Sequence, residues 1–308
     1  MNAMKDTVIQ VRDFRKIYGE TVAVDGISFA VQRGEIFGLL GPNGAGKTST
    51  LECLEGLRRA DGGALDILGV DPAHQAGKLR HLIGVQLQTS GLPADMQVEE
   101  AVRFFCAYHN VAPRYDLIDR LGLEAKRREK YGKLSMGQQR RLALALAVAH
   151  KPPVVFLDEP TAGLDVESRT ELHTLVRELQ AEGTTIVLAT HDMAEAEKMA
   201  DRVAILLRGH IATTSTPREI TATGAGFTKV SVRTEQSVLH QNGAAIPGVS
   251  RHLLEEDYAV YFSADPGPTV TALLQYIGAH GDPLIDLRVE RPSLEERFLE
   301  ITTEGSRE

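Results

Sequence analysis

The chain's most specific chemistry lies in Gly41-Pro42-Asn43-Gly44-Ala45-Gly46-Lys47-Thr48-Ser49-Thr50. Gly41, Gly46, Lys47 and Thr48 fill the fixed places of G-x-x-x-x-G-K-[ST], a loop whose backbone N–H groups wrap polyphosphate while its lysine neutralises the outer phosphates. Glycine belongs where the main chain turns sharply and lies against a ligand. A second group ends the apolar run at residues 154–157: Asp158 and Glu159, followed by Pro160. At a strand end beside the loop, Asp158 can hold Mg²⁺ together with the Thr48 hydroxyl. Glu159 can then polarise a water for attack on a γ-phosphate, a step governed by positioning. A third group is Leu134-Ser135-Met136-Gly137-Gln138. Ser135 reads as a helix N-cap and Gly137 leaves the backbone bare, so this helix start is a second anion site. Each group has a bland alternative: a Gly-rich turn, a solvated acidic turn, a capped core helix. Their occurrence in one chain favours the chemical reading.

The surrounding elements have to place these groups. The run Glu35-Ile36-Phe37-Gly38-Leu39-Leu40 reads as a buried strand into the phosphate loop, and residues 48–57 as the helix after it, so the phosphates sit at a helix N-terminus. Strands are expected at 7–12, 27–31 and 63–68, with turns at Asp25-Gly26 and Arg33-Gly34. Residues 74–146 turn mostly helical, an insertion into the phosphate-loop architecture. A strand through Asp158, a helix, a strand ending at Thr190, a helix, and a hairpin about Arg208-Gly209 follow. Strands alternating with helices imply a mainly parallel sheet covered on both faces. Residues 217–227, rich in Thr, Ala and Gly, read as a linker. Beyond it the order strand (228–234), helix, two strands, helix (269–279), strand (284–290) is ferredoxin-like.

Composition narrows the class. With 43% hydrophobic residues the chain can build a sizeable core, and a net charge of −8 argues against general binding to nucleic acid or anionic membranes. Cys53 and Cys106 form no motif and read as buried thiols in a reducing compartment. No apolar stretch approaches the roughly 20 residues needed to span a bilayer, and the first residues lack a signal-peptide core. The expectation is a cytoplasmic chain that meets a membrane only through a partner.

Together the phosphate loop, LSMGQ at 134–138, LDEP at 157–160, AGLD at 162–165 and a histidine closing a strand, His191, resemble the ATP-binding subunit of an ABC transporter over residues 5–220. The resemblance implies an ABC-type P-loop NTPase core at 1–220 with a helical subdomain at about 74–146, and a small α+β accessory domain at 221–308. It implies ATP and Mg²⁺ as ligands, and a head-to-tail dimer in which one chain's phosphate loop and the other's signature grip each ATP. Lys47, Glu159, Gln88 and His191 become the catalytic set, with Thr48, Asp158 and Gln88 at the metal. Ser135, Gly137 and Gln138 face the partner's nucleotide, Asp165 bridges the interface, and Tyr18 stacks on adenine. Gln86 rivals Gln88, since a strand points both to one face. Met136 departs from the glycine that is commonest there. The closing segment at 292–302 resembles the drug-, antibiotic- or lipid-export branch whose permease is a separate chain, daunorubicin-resistance exporters among them. This places the chain at the inner face of the cell membrane, bound to an integral-membrane permease whose cytoplasmic helix meets residues 89–103. Two other readings stay open: a soluble ABC-type ATPase in translation or DNA maintenance, and a non-hydrolysing regulatory nucleotide-binding module.

Overall fold

A computed structural model describes residues 7–87, 91–222, 227–241 and 246–304, divided into two units, Met1–Pro217 and Arg218–Glu308. In the first unit, β1 (Thr7–Tyr18) and β2 (Thr21–Gln32) form a long hairpin. There follow β3 (Ile36–Leu40), α1 (Lys47–Leu54), β4 (Gly62–Ile67), α2 (Ala76–Leu79), β5 (Ile83–Gln86), α3 (Val98–Tyr108), α4 (Tyr115–Arg120) and α5 (Met136–Val148). The unit closes with β6 (Val154–Asp158), α6 (Val166–Ala181), β7 (Thr185–Thr190), α7 (Met193–Met199), β8 (Arg202–Leu207) and β9 (His210–Ser215).

Six strands make the sheet that carries the chemistry, in the order β5-β6-β7-β3-β8-β9, parallel except for the antiparallel edge β9. All residues of β3, β6 and β7 are buried, as expected of parallel strands covered on both faces. A separate antiparallel sheet, β2-β1-β4, lies beside it. Phe29 of β2 stacks on Phe37 of β3 at 5.2 Å, and Phe14, Ile9, Leu51, Leu54 and Phe156 complete one apolar core. Each such side chain contributes about 1.5–3 kcal/mol on burial.

Several expectations need correction. Asp25-Gly26 is no turn but lies inside β2, where the register slips as Phe14 pairs with Ile27 and Lys16 with Val24. Gly26 at φ 69° takes the extra residue of a bulge; the turn is at Gly19-Glu20. Within the mostly helical 74–146 stretch, Ile83–Gln86 is a strand that pairs in parallel with β6, in keeping with Gln86 on a strand. A four-residue apolar run has no period of its own, so only pairing separates strand from helix. The first helix ends at Leu54, not at Leu57. The linker begins as a helix, α8 (Pro217–Ala222), since Pro is well tolerated at a helix start.

The second unit holds β10 (Thr228–Thr234), α9 (Val238–Gln241), β11 (Val249–Glu255), β12 (Tyr258–Ser263), α10 (Pro266–Ala279), β13 (Leu284–Glu290) and α11 (Leu294–Glu304). Its strand order, β11-β12-β10-β13, antiparallel throughout, is that of a ferredoxin-like sheet. Val230, Val232, Tyr261, Leu273 and Ile277 form its own core. Ser293 and Glu296 cap α11 reciprocally.

Candidate functional site

The phosphate loop joins the end of β3 to the start of α1, and its shape follows from its glycines. A Cβ on Gly41 would lie 2.2 Å from the Leu206 carbonyl oxygen, and one on Gly46, at φ 105°, 2.6 Å from that of Ala23. No side chain fits either place. β2 and β8 thus hold the loop from behind, aided by the Gly209 N–H donating to the Ala45 carbonyl at 3.2 Å. Lys47 is buried, and its Nζ donates to the loop's own carbonyls, Gly41 at 2.7 Å and Pro42 at 3.2 Å. Burial pushes its ammonium below the ordinary value, and the carboxylates of Glu159 and Asp158 pull it part of the way back.

Asp158 ends β6 beside this loop. Its Oδ2 accepts from Thr48 Oγ1 at 3.2 Å, while its Oδ1 is buried with no partner. Burial raises its pKa, against the Thr48 hydrogen bond. A buried carboxylate with one oxygen unmet, next to a hydroxyl, is a hard-oxygen donor set that suits Mg²⁺, an ion commonly held by one or two carboxylates plus phosphate oxygens. Glu159, next in sequence, has φ 50°, a conformation few non-glycine residues adopt. Four neighbours hold it there. Its N–H donates to Ala189 O at 2.9 Å, its Oε1 accepts from His191 N at 3.1 Å and meets His191 Nδ1 at 2.8 Å, and its carbonyl accepts from Arg140 and from Ala162 N at 3.3 Å. Lys47 Nζ lies 4.0 Å from the same Oε1. Parallel neighbours β6 and β7 thus deliver Asp158, Glu159 and His191 to one sheet end.

The turn carrying His191 is fastened from behind. Buried Glu195 accepts from Thr190 Oγ1 at 2.9 Å and lies 3.4 Å from His173 Nε2 on α6, while Asp192 caps α7 by accepting from Glu195 N. Sequence reasoning missed Glu195, His173 and Arg140. Glu195 falls in a helix whose polar residues look solvent-facing, and only the tertiary contacts single it out.

Other expected residues stand elsewhere in the unit. Ser135 caps α5 in a capping box with Gln138: Gln138 N donates to Ser135 Oγ at 3.3 Å and Ser135 N to Gln138 Oε1 at 3.0 Å. Met136 is 70% exposed, so its side chain lies outside the core against which α5 packs. A Cβ on Gly137 would stand 3.3 Å from Leu164 Cδ2. Asp165 caps α6, accepting from Ser168 N at 2.8 Å and Ser168 Oγ at 3.1 Å. Those two bonds hold its carboxyl below the usual range. Tyr18 ends β1, 38% exposed, with the cations of Lys16 and Arg58 5.1 and 5.5 Å from its ring centroid. Gln88 lies outside the described residues; its rival Gln86 is buried in β5 with Oε1 unpartnered. Both cysteines are free and buried. Among the described residues, no helix is long and apolar enough to cross a membrane.

Comparison with known proteins agrees with this geometry. The ABC transporter family model matches residues 24–162. A daunorubicin resistance ATP-binding protein, DrrA3, of Streptomyces coeruleorubidus is 34% identical over 316 residues, 99% of this chain and 98% of its own. A Nod factor export ATP-binding protein I of Ralstonia nicotianae is 34% identical over 301 residues, 96% of this chain and 94% of its own. The solved structure of a dimeric bacterial ABC transporter cassette has a TM-score of 0.63 at 25% identity, covering 68% of this chain and 98% of that one. With a phosphate loop, a paired Asp158-Glu159 and a strand-end His191 converging on one end of the sheet, the chain belongs to the ABC transporter family as an ATP-binding subunit, an ATPase.

Proposed function

We propose that the chain is the motor of an exporter, hydrolysing ATP in a head-to-tail dimer of two copies to drive a separate integral-membrane permease. The observation that carries the reading is the contact chain Thr48–Asp158 and Lys47–Glu159–His191 at one sheet end. Lys47 and the N–H groups of residues 43–49 hold the phosphates; Thr48 and Asp158, joined by Gln88, would hold Mg²⁺. When bound, that ion neutralises charge on the phosphate oxygens. Glu159 orients the attacking water, and His191 keeps the carboxylate in place and faces the γ-phosphate. Tyr18 stacks on adenine. Ser135, Gly137 and Gln138 close over the partner copy's ATP, with Asp165 at the interface, so each site is complete only when the copies meet.

Relatives named for daunorubicin resistance and for Nod factor export support export of a drug, antibiotic or lipid-like cargo. An apolar cavity of about 460 Å³, lined by Leu57, Leu87, Leu92, Phe104 and Tyr108, suits the permease's cytoplasmic helix. That docking places the chain at the inner membrane face, with residues 221–308 as an accessory domain. The test is Glu159→Gln. The variant should bind ATP and double its mass with ATP while turnover falls at least about a hundredfold. Normal steady-state hydrolysis by the variant rejects the role of Glu159.

A further inference from the structure

Arg140 stands five positions after the Ser135 cap, on the first turns of α5, before the helix becomes buried at residues 144–148. Its Nη1 donates to the main-chain carbonyl of Glu159. The bond goes to a carbonyl although the acids Glu159, Asp158 and Glu195 are near enough to act on the guanidinium electrostatically. Arg140 therefore fixes a backbone, and the backbone it fixes is unusual. Glu159 at φ 50° holds a conformation that costs a non-glycine residue on the order of 1–3 kcal/mol unless its surroundings enforce it. The Ala189 carbonyl takes its N–H, His191 holds its carboxylate, and Arg140 shares its carbonyl with the Ala162 N–H, which donates at 3.3 Å. Of these, only Arg140 comes from α5.

We infer that Arg140 is a positioning residue that ties the start of α5 to the main chain of Glu159, so that engagement of the 135–138 turn sets the geometry of the acid acting on water. The inference rests on the head-to-tail reading, in which that turn serves the partner copy's ATP while Glu159 serves the chain's own. One rigid helical turn then separates a contact with one nucleotide from the carbonyl of the residue that acts on the other. Closing one site aligns the second, and the two copies fire cooperatively. Lysine at 140 can still donate to the carbonyl, from a shorter and less directional head; glutamine cannot reach with a charge-assisted bond.

Steady-state hydrolysis by the full chain against ATP concentration, for Arg140→Gln and Arg140→Lys, tests this. Arg140→Gln should lower kcat about ten- to a hundredfold, as expected for a small misplacement of a reacting group. It should leave the half-saturating ATP concentration within about twofold and bring the Hill coefficient down to about 1. Arg140→Lys should recover part of both. Adding Arg140→Gln to Glu159→Gln should leave ATP-driven doubling of mass intact, which separates positioning from loss of fold. Unchanged kcat and cooperativity in Arg140→Gln overturns the inference, as does loss of turnover in step with loss of dimerisation. If Glu159→Gln alone fails to dimerise with ATP, the head-to-tail reading falls and the link between sites falls with it. The kcat of Arg140→Gln then still decides whether Arg140 positions Glu159.

Discussion

Glu55 caps the C-terminal end of α1 with both carboxylate oxygens buried and unpartnered. Burial, with smaller contributions from Asp158 and Glu52, pushes its pKa up to about 8 from an ordinary 4.5. Folded, the group keeps its proton up to about pH 8; unfolded, it releases the proton near 4.5. Between those values the folded state binds more protons, so wild-type stability falls as pH rises. At about 1.36 kcal/mol per pH unit, the gap from 4.5 to about 8 sets a ceiling of about 5 kcal/mol. Glu55→Gln keeps the shape and removes the titration. The stability difference between variant and wild type should therefore be small at pH 4.5 and grow in the variant's favour by about 3–5 kcal/mol at pH 8. Urea unfolding followed by circular dichroism, nucleotide-free and at half-unit pH steps, reads it directly. A difference that does not change with pH, or that grows in favour of wild type, refutes the argument that Glu55 is held neutral by burial.

Two further expectations concern packing and specificity, beside those for Glu159 and Arg140 above. A Cβ on Gly84 would stand 2.1 Å from the Ala147 carbonyl oxygen and 2.9 Å from Pro152 Cγ. Gly84→Ala should therefore force β5 from α5 and cost about 1–3 kcal/mol or more, seen as a lowered urea midpoint; an unchanged midpoint rejects the close approach. Tyr18→Ala should weaken ATP binding by up to about tenfold, the worth of one aromatic stack, with tripolyphosphate affinity unchanged in parallel titrations. Equal loss for both ligands would remove adenine stacking from the reading.

Much of the site was legible in the residues themselves because its parts are local. A phosphate loop needs glycines, a lysine and a hydroxyl within ten consecutive positions, and an acidic pair after an apolar run marks a strand end without reference to anything distant. Ser135 could be read as a cap because a cap bonds to its own next turn, and it does so with Gln138. The positions that failed or stayed open are those where local pattern is silent or ambiguous. Ile83–Gln86 has the length of neither a clear strand nor a clear helix, and its partner, β6, is supplied by residues some seventy positions away. Asp25-Gly26 has turn chemistry, yet pairing with β1 on either side holds it in a bulge.

Sequence alone therefore pointed to the class of ligand, the candidate reacting groups and most of the order of the elements, since each depends on residues close together in the chain. Tertiary structure decided which of those groups touch. Parallel pairing of β6 with β7 brings Glu159 to His191 across 32 positions, and packing of α5 delivers Arg140 to the carbonyl of Glu159. It also decided that Glu55, which reads as an ordinary helix acid, lies buried beyond the reach of any partner among the described residues. Burial and long-range pairing are properties of the assembled core, and no short window of sequence contains them.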